Sequence, residues 1–129
     1  MKLKFLEPSR EKGVIKCTVN KDGRLGFSSA AVERLKLKKF KYAKIAIDEE
    51  LKSELALYLL LTNIEDNMAM RITVGGGYYN IRAKKIFENL KLNFKEKKYI
   101  FDIKALENDE ENLYKLEIRV LDRKKGNRN

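Results

Sequence analysis

The feature that most constrains the fold is a repeat. The stretch Asp22 to Ile47, DGRLGFSSAAVERLKLKKFKYAKIAI, returns at an offset of 55 within Gly75 to Ile103, GGGYYNIRAKKIFENLKLNFKEKKYIFDI. At that offset Leu35-Lys36-Leu37 falls on Leu90-Lys91-Leu92, Ala31 and Val32 fall on Ile86 and Phe87, and Glu33 falls on Glu88. The strands after each helix align with one or two residues of slack. A repeat sets the folding unit, and two such copies predict two half-folds that complete one core between them. The copies span 13–62 and 68–121 of a single domain covering residues 1–129.

Within each copy the elements read from turn chemistry and periodicity. Residues 1–12, with the only proline at Pro8, are a polar leader, with a short strand expected at Leu3–Leu6. Ile15, Cys17 and Val19 alternate with Lys16 and Thr18, the period of a half-buried strand. Asp22-Gly23 supplies the positive φ of a tight turn into Arg24–Phe27. Ser28 or Ser29 caps a short helix whose Ala31, Val32 and Leu35 face the core. A strand over Phe40–Ile47 follows, with Ala43, Ile45 and Ile47 on one face. Then come an acidic turn at 48–53 and the apolar run Glu54–Thr62, which predicts a strand covered on both sides. The second copy repeats the order. Met68, Met70, Ile72 and Val74 are expected inward, with the two methionines as core filler. Ala83, Ile86, Phe87 and Leu90 form a helical stripe. Lys97–Ile103 and Asn112–Leu121 are strands around an acidic loop at 107–111, and Asp122–Asn129 is a basic tail expected to fray. The expected fold class is α+β, mostly antiparallel β. Its duplicated strand-strand-helix-strand-strand unit gives about eight strands and two short helices, closing as a barrel with few free edges.

Composition excludes several functions. The chain has no histidine, which removes Ser-His-Asp and Cys-His chemistry and HExxH zinc sites. A carboxylate-only metal site or a paired-carboxylate hydrolase stays open, but no nucleophile, base and oxyanion-donor set can be assembled, so no enzyme, cofactor or metal site is expected. Cys17 stands alone in a strand pattern and reads as a buried thiol. Gly75-Gly76-Gly77 lacks the Gly-Lys-Ser/Thr ending of a phosphate loop and reads as a hairpin or bulge. The acidic 48–54 loop lacks EF-hand spacing. No apolar run approaches the roughly 20 residues a membrane span needs, and the N-terminal stretch has no signal-peptide pattern. The expectation is a cytoplasmic protein with no membrane partner.

Charge points the other way, toward a partner. The net charge is +10. Residues 1–47 hold 13 Lys/Arg against 4 Asp/Glu, and residues 81–104 hold 8 against 3, whereas residues 48–80 hold 2 against 6. The basic excess therefore tracks the two repeated segments, as a polyanion-binding surface would.

The motif Asp22-Gly23-Arg24-Leu25-Gly26-Phe27-Ser28, with Leu35-Lys36-Leu37 and Ile45-Ala46-Ile47-Asp48, resembles the AbrB/MraZ-like swapped-hairpin transcription factors. The resemblance covers about 27 residues of the first copy, and in the second only the helix and the residues after it. Ser28 stands where that family has proline. The second copy lacks the Gly-Arg pair, and the spacer after Leu37 lacks a Gly-Asp. The resemblance implies a β-rich DNA-binding module in which Arg24, beside the turn, approaches the duplex. Whirly-like and PurA-like single-strand binders, also duplicated sheet-plus-helix folds, are the second resemblance. Tyr42 beside Lys41 and Lys44, Tyr78-Tyr79 beside Arg82, and Tyr99 beside Lys97-Lys98 have the basic-aromatic texture that base stacking uses. Adjacent strand residues face opposite ways, so one of Tyr78 and Tyr79 points outward.

The expected function is non-catalytic nucleic-acid binding, to DNA rather than RNA, as in a transcriptional regulator. The candidate contacts are Arg24, Lys36, Lys38, Lys39, Lys41, Tyr42, Lys44, Tyr79, Arg82, Lys84, Lys85 and Lys91. A protein-interaction or assembly module with a solvated basic surface is the alternative, and a homodimer stays open.

Overall fold

Each of the two stretches aligned by the repeat carries a six-residue helix, and the two helices stand 55 residues apart. The structure, a computed structural model, describes residues 1–6, 15–50, 56–106 and 111–123. The first copy runs β1 (Lys16–Val19), β2 (Arg24–Phe27), α1 (Ser29–Arg34), a 3₁₀ turn (Leu37–Lys39), β3 (Tyr42–Ile47) and β4 (Leu57–Thr62). The second runs β5 (Met70–Arg71), β6 (Thr73–Gly75), β7 (Tyr78–Arg82), α2 (Lys84–Asn89), β8 (Lys97–Ala105) and β9 (Leu113–Asp122). Helix α1 lies on α2 residue for residue at an offset of 55. Each helix ends at a lysine in the left-handed region, Lys36 at φ 54° and its counterpart Lys91 at φ 61°. That conformation costs an L-residue about 1–2 kcal/mol. It turns the chain so that Leu37 enters the core, fully buried. Ser28 caps α1, its hydroxyl oxygen accepting the Ala31 amide at 3.1 Å. Ala83 at the same place offers α2 no such bond.

The strands form one antiparallel sheet in the order β5-β3-β4-β9-β8-β1-β2-β7-β6. Hairpin β1–β2 of the first copy pairs with β8 and β7 of the second. Hairpin β3–β4 pairs with β5 and β9. The copies therefore exchange hairpins, and neither has a sheet without the other. The edge strands β5 and β6 are joined through Ile72 alone, whose N–H donates to the Lys41 carbonyl at 2.8 Å. One short segment thus spans both edges, and the sheet becomes a nearly closed barrel.

The inward face of β1, β2, β4, β7, β8 and β9 supplies the core, with Cys17, Val19, Leu25, Leu57, Leu59, Leu61, Ile81, Phe101 and Leu116 buried. Phe87 of α2 stacks on Phe101 of β8, centroids 6.4 Å apart. In β4 one face is fully buried, while Tyr58 and Leu60 on the other are half-buried.

Several expectations change. Met68 is 74% exposed and Val74 is exposed, so neither is core. The reason is the break at Ile72: the chain passes from one sheet edge to the other there, and a single alternation cannot persist through it. Tyr99 is buried on the inward face, its hydroxyl accepting the Asn93 amide at 3.1 Å, and is no stacking platform. Residues 3–6 are exposed and form no strand. The tail is anchored at its start. Asp122 pairs with Lys97 in β9–β8, and the Arg123 guanidinium donates to the Phe94 and Val19 carbonyls at 2.9 and 3.0 Å. Pro8 and Val14, residues 51–55 of the acidic turn and the strand after it, most of the acidic 107–111 loop and residues 124–129 lie outside the described residues. Among the described residues no helix is long and apolar enough to cross a membrane.

Candidate nucleic-acid interface

The basic side chains gather where the first copy's helix meets the second copy's hairpin. Asn63 fixes the backbone there. Its side-chain oxygen accepts the Lys41 amide at 2.8 Å and its amide donates to the Lys39 carbonyl at 3.0 Å. This holds the 3₁₀ turn so that Lys36, Lys38 and Lys39 border a groove of about 580 Å³. Phe27, Val32, Tyr78 and Tyr79 line the same groove, with Glu33 its one carboxylate. Phe27 is 3% exposed, so the floor is core edge.

That groove exists because the two-fold relation between copies is broken. At the β1–β2 turn, Gly23 (φ 87°) packs on the start of α2, and a Cβ there would lie 2.8 Å from the Lys84 Cα. At the β6–β7 turn, Gly77 (φ 83°) has nothing within 4 Å of a Cβ position. The space that α2 closes in one half stays open beside α1 in the other, bordered by Gly77 and Ser29.

A second groove, about 540 Å³, adjoins the first and shares Phe27, Ser28 and Tyr78 with it. It lies on the outward face of the sheet, where period-two alternation places Lys16, Thr18, Arg24, Gly26, Asn80 and Lys98. Arg123 also lines it. Arg24 sits directly across the β2–β7 ladder from Arg82. Like charges so placed repel, and among the described residues Asp22, 3.5 Å from Arg24, is the one carboxylate paired with either. Asn80, 5% exposed, is held by the Thr73 hydroxyl at 3.0 Å and forms part of the wall. Together the two grooves present Lys36, Lys38, Lys39, Lys16, Arg24, Lys98 and Arg123 against Glu33 and Asp22. Toward β9 the surface is balanced again, with Arg119 on Asp102 at 2.9 Å and Lys104 on Glu117 at 3.9 Å.

The remaining candidates are spread. Arg82 is exposed beside Arg24, and Lys84 begins α2 against the Gly23 turn. Lys85 and Lys91 are exposed but line neither groove. Lys44 pairs with Asp66, whose carboxyl is held below its usual range by the Lys44 hydrogen bond first and the Met68 amide second. Lys44 instead borders an apolar groove with Ile86 and Leu90. Lys41 is exposed outside these grooves, and half-buried Tyr42 stands across from Thr62 and Arg71. Of the tyrosine pair, Tyr78 is the outward one at 70% exposure, and Tyr79 is half-buried in the first groove. The candidate contacts read from the sequence omit Lys16, Tyr78, Lys98 and Arg123, although Tyr78 and Lys98 stand in its basic-aromatic pairs. The outward alternation against Cys17 and Tyr99 would have found Lys16 and Lys98, but nothing local marks Arg123.

Cys17 lies between Phe27 and Phe101 in the ladder. Burial, with the Asp102 charge adding to it, pushes its thiol far above the ordinary range. An aromatic disulfide reagent should leave it unmodified in the native protein and react fully in denaturant. The folded value exceeds the unfolded one, so its contribution to stability is constant below about pH 8.5 and falls as pH rises beyond. Rapid native labelling would contradict this burial. Among the described residues no group of three or more His, Cys, Asp or Glu is placed to hold a metal. No protein family, curated protein or solved structure matches this chain.

Proposed function

We propose that the protein binds nucleic acid, DNA in preference to RNA, without catalysing a reaction, and that the two adjoining grooves are its contact surface. The observation that carries this reading is convergence. The lysines after α1 and the basic residues of β1, β2 and β8 adjoin one another around Tyr78 with two carboxylates among them. A surface of that composition concentrates phosphate over the Debye length, about 8–10 Å. The exchange of hairpins between copies supports the swapped-hairpin resemblance, and the reading includes a regulatory role, with the cytoplasm as its expected place.

Titrating fluorescent single- and double-stranded oligonucleotides by anisotropy tests the proposal. Six or so neutralised phosphates predict a loss of about 1,000-fold in affinity between roughly 50 and 200 mM salt. If neither probe binds at low salt, the basic surface serves solubility and the interaction-module reading takes its place.

A further inference from the structure

We infer that the groove beside Tyr78 takes an unstacked base, so that the ligand is single-stranded DNA; this rests on the nucleic-acid reading above. A surface built only to hold phosphates needs lysines and no apolar floor. Here the lysines of the 3₁₀ turn border an opening floored by Phe27, Val32 and Tyr79, left uncovered because Gly77 stands off α1 where Gly23 closes on α2. Tyr78 lines both grooves and, of the three residues they share, is the exposed aromatic where they adjoin. At 70% exposure it offers aromatic surface to solvent between two basic rims.

The chemistry that fits is a flat aromatic ring carried on an anionic backbone. A base stacks on tyrosine while the adjoining phosphates reach Lys38 and Lys39 on one side and Arg24 on the other. Paired bases in a duplex present only edges and cannot enter such a slot without being displaced from the stack.

The test compares two strands of equal length and phosphate number, oligothymidylate and its fully abasic analogue, bound to the full chain. The expected result is tighter binding of the base-bearing strand by about 5- to 150-fold, the range of one stacked base. Tyr78→Ala should bring that strand down to the abasic level, and Tyr78→Trp should keep the preference, since stacking needs the ring and not the hydroxyl. Thermal unfolding of both variants checks that the exposed hairpin tolerates them. Equal binding of the two strands, or a preference that survives Tyr78→Ala, overturns this inference and leaves the phosphate-binding surface standing. Binding of neither strand overturns this inference, and only if a duplex of the same length also fails to bind does the nucleic-acid reading fall with it.

Discussion

Replacing Lys36, Lys38 and Lys39 with glutamine lowers oligonucleotide affinity about 100-fold near 0.15 M salt and reduces the salt slope by about two to three. The magnitude comes from counterion release: each phosphate contact contributes about 0.7–0.9 to the slope, and three are removed at once. Glutamate at the same positions lowers affinity further, because repulsion replaces a lost attraction. Fold stability should change little. All three side chains are exposed, and none makes an ion pair among the described residues. The comparison is Lys85 and Lys91, which belong to the second basic segment yet border neither groove. Their replacement removes long-range field only and should cost no more than several-fold. Anisotropy titrations at three salt concentrations separate the two sets. Equal losses from both would mean that net charge, and not the grooves, governs association.

The second large effect is on stability, and it uses the broken two-fold relation. Gly23→Ala should destabilise the fold by about 2–5 kcal/mol, and Gly77→Ala by only about 1–2 kcal/mol. Both positions require positive φ, so both lose the conformational freedom of glycine. Only Gly23 also faces backbone, the Lys84 Cα, which cannot swing aside as a side-chain terminus would. Denaturant unfolding of the two variants measures the difference. Equal costs would mean that the β1–β2 turn and α2 are not in close contact.

How much of this was legible in the chain differs by element. The helix stripe of Ala83, Ile86, Phe87 and Leu90 and the Asp22-Gly23 turn read directly, because both depend on neighbours a few residues away. The described residues form nine strands, in line with the about eight expected; the added one arises because Met68–Val74, a single inward-facing strand by its alternation, is two short strands meeting at Ile72. Alternation records which face is buried, but not that a segment changes partner halfway. The basic excess of the first copy was visible as a composition shift. Its junction with Lys98 and Arg123 was not, since both come from the second half of the chain and Arg123 reaches the Val19 carbonyl across 104 residues.

The order of elements, the duplication, the lone thiol in a strand and the sign of the surface charge were determined by the amino-acid sequence alone. Each follows from local periodicity, turn chemistry or counting. Tertiary structure alone decided which hairpin pairs with which copy, that Gly23 closes on α2 while Gly77 stands clear of α1, and that Tyr78 faces outward. Those outcomes depend on packing between residues far apart in the chain, where two nearly equivalent halves met and only one interface closed.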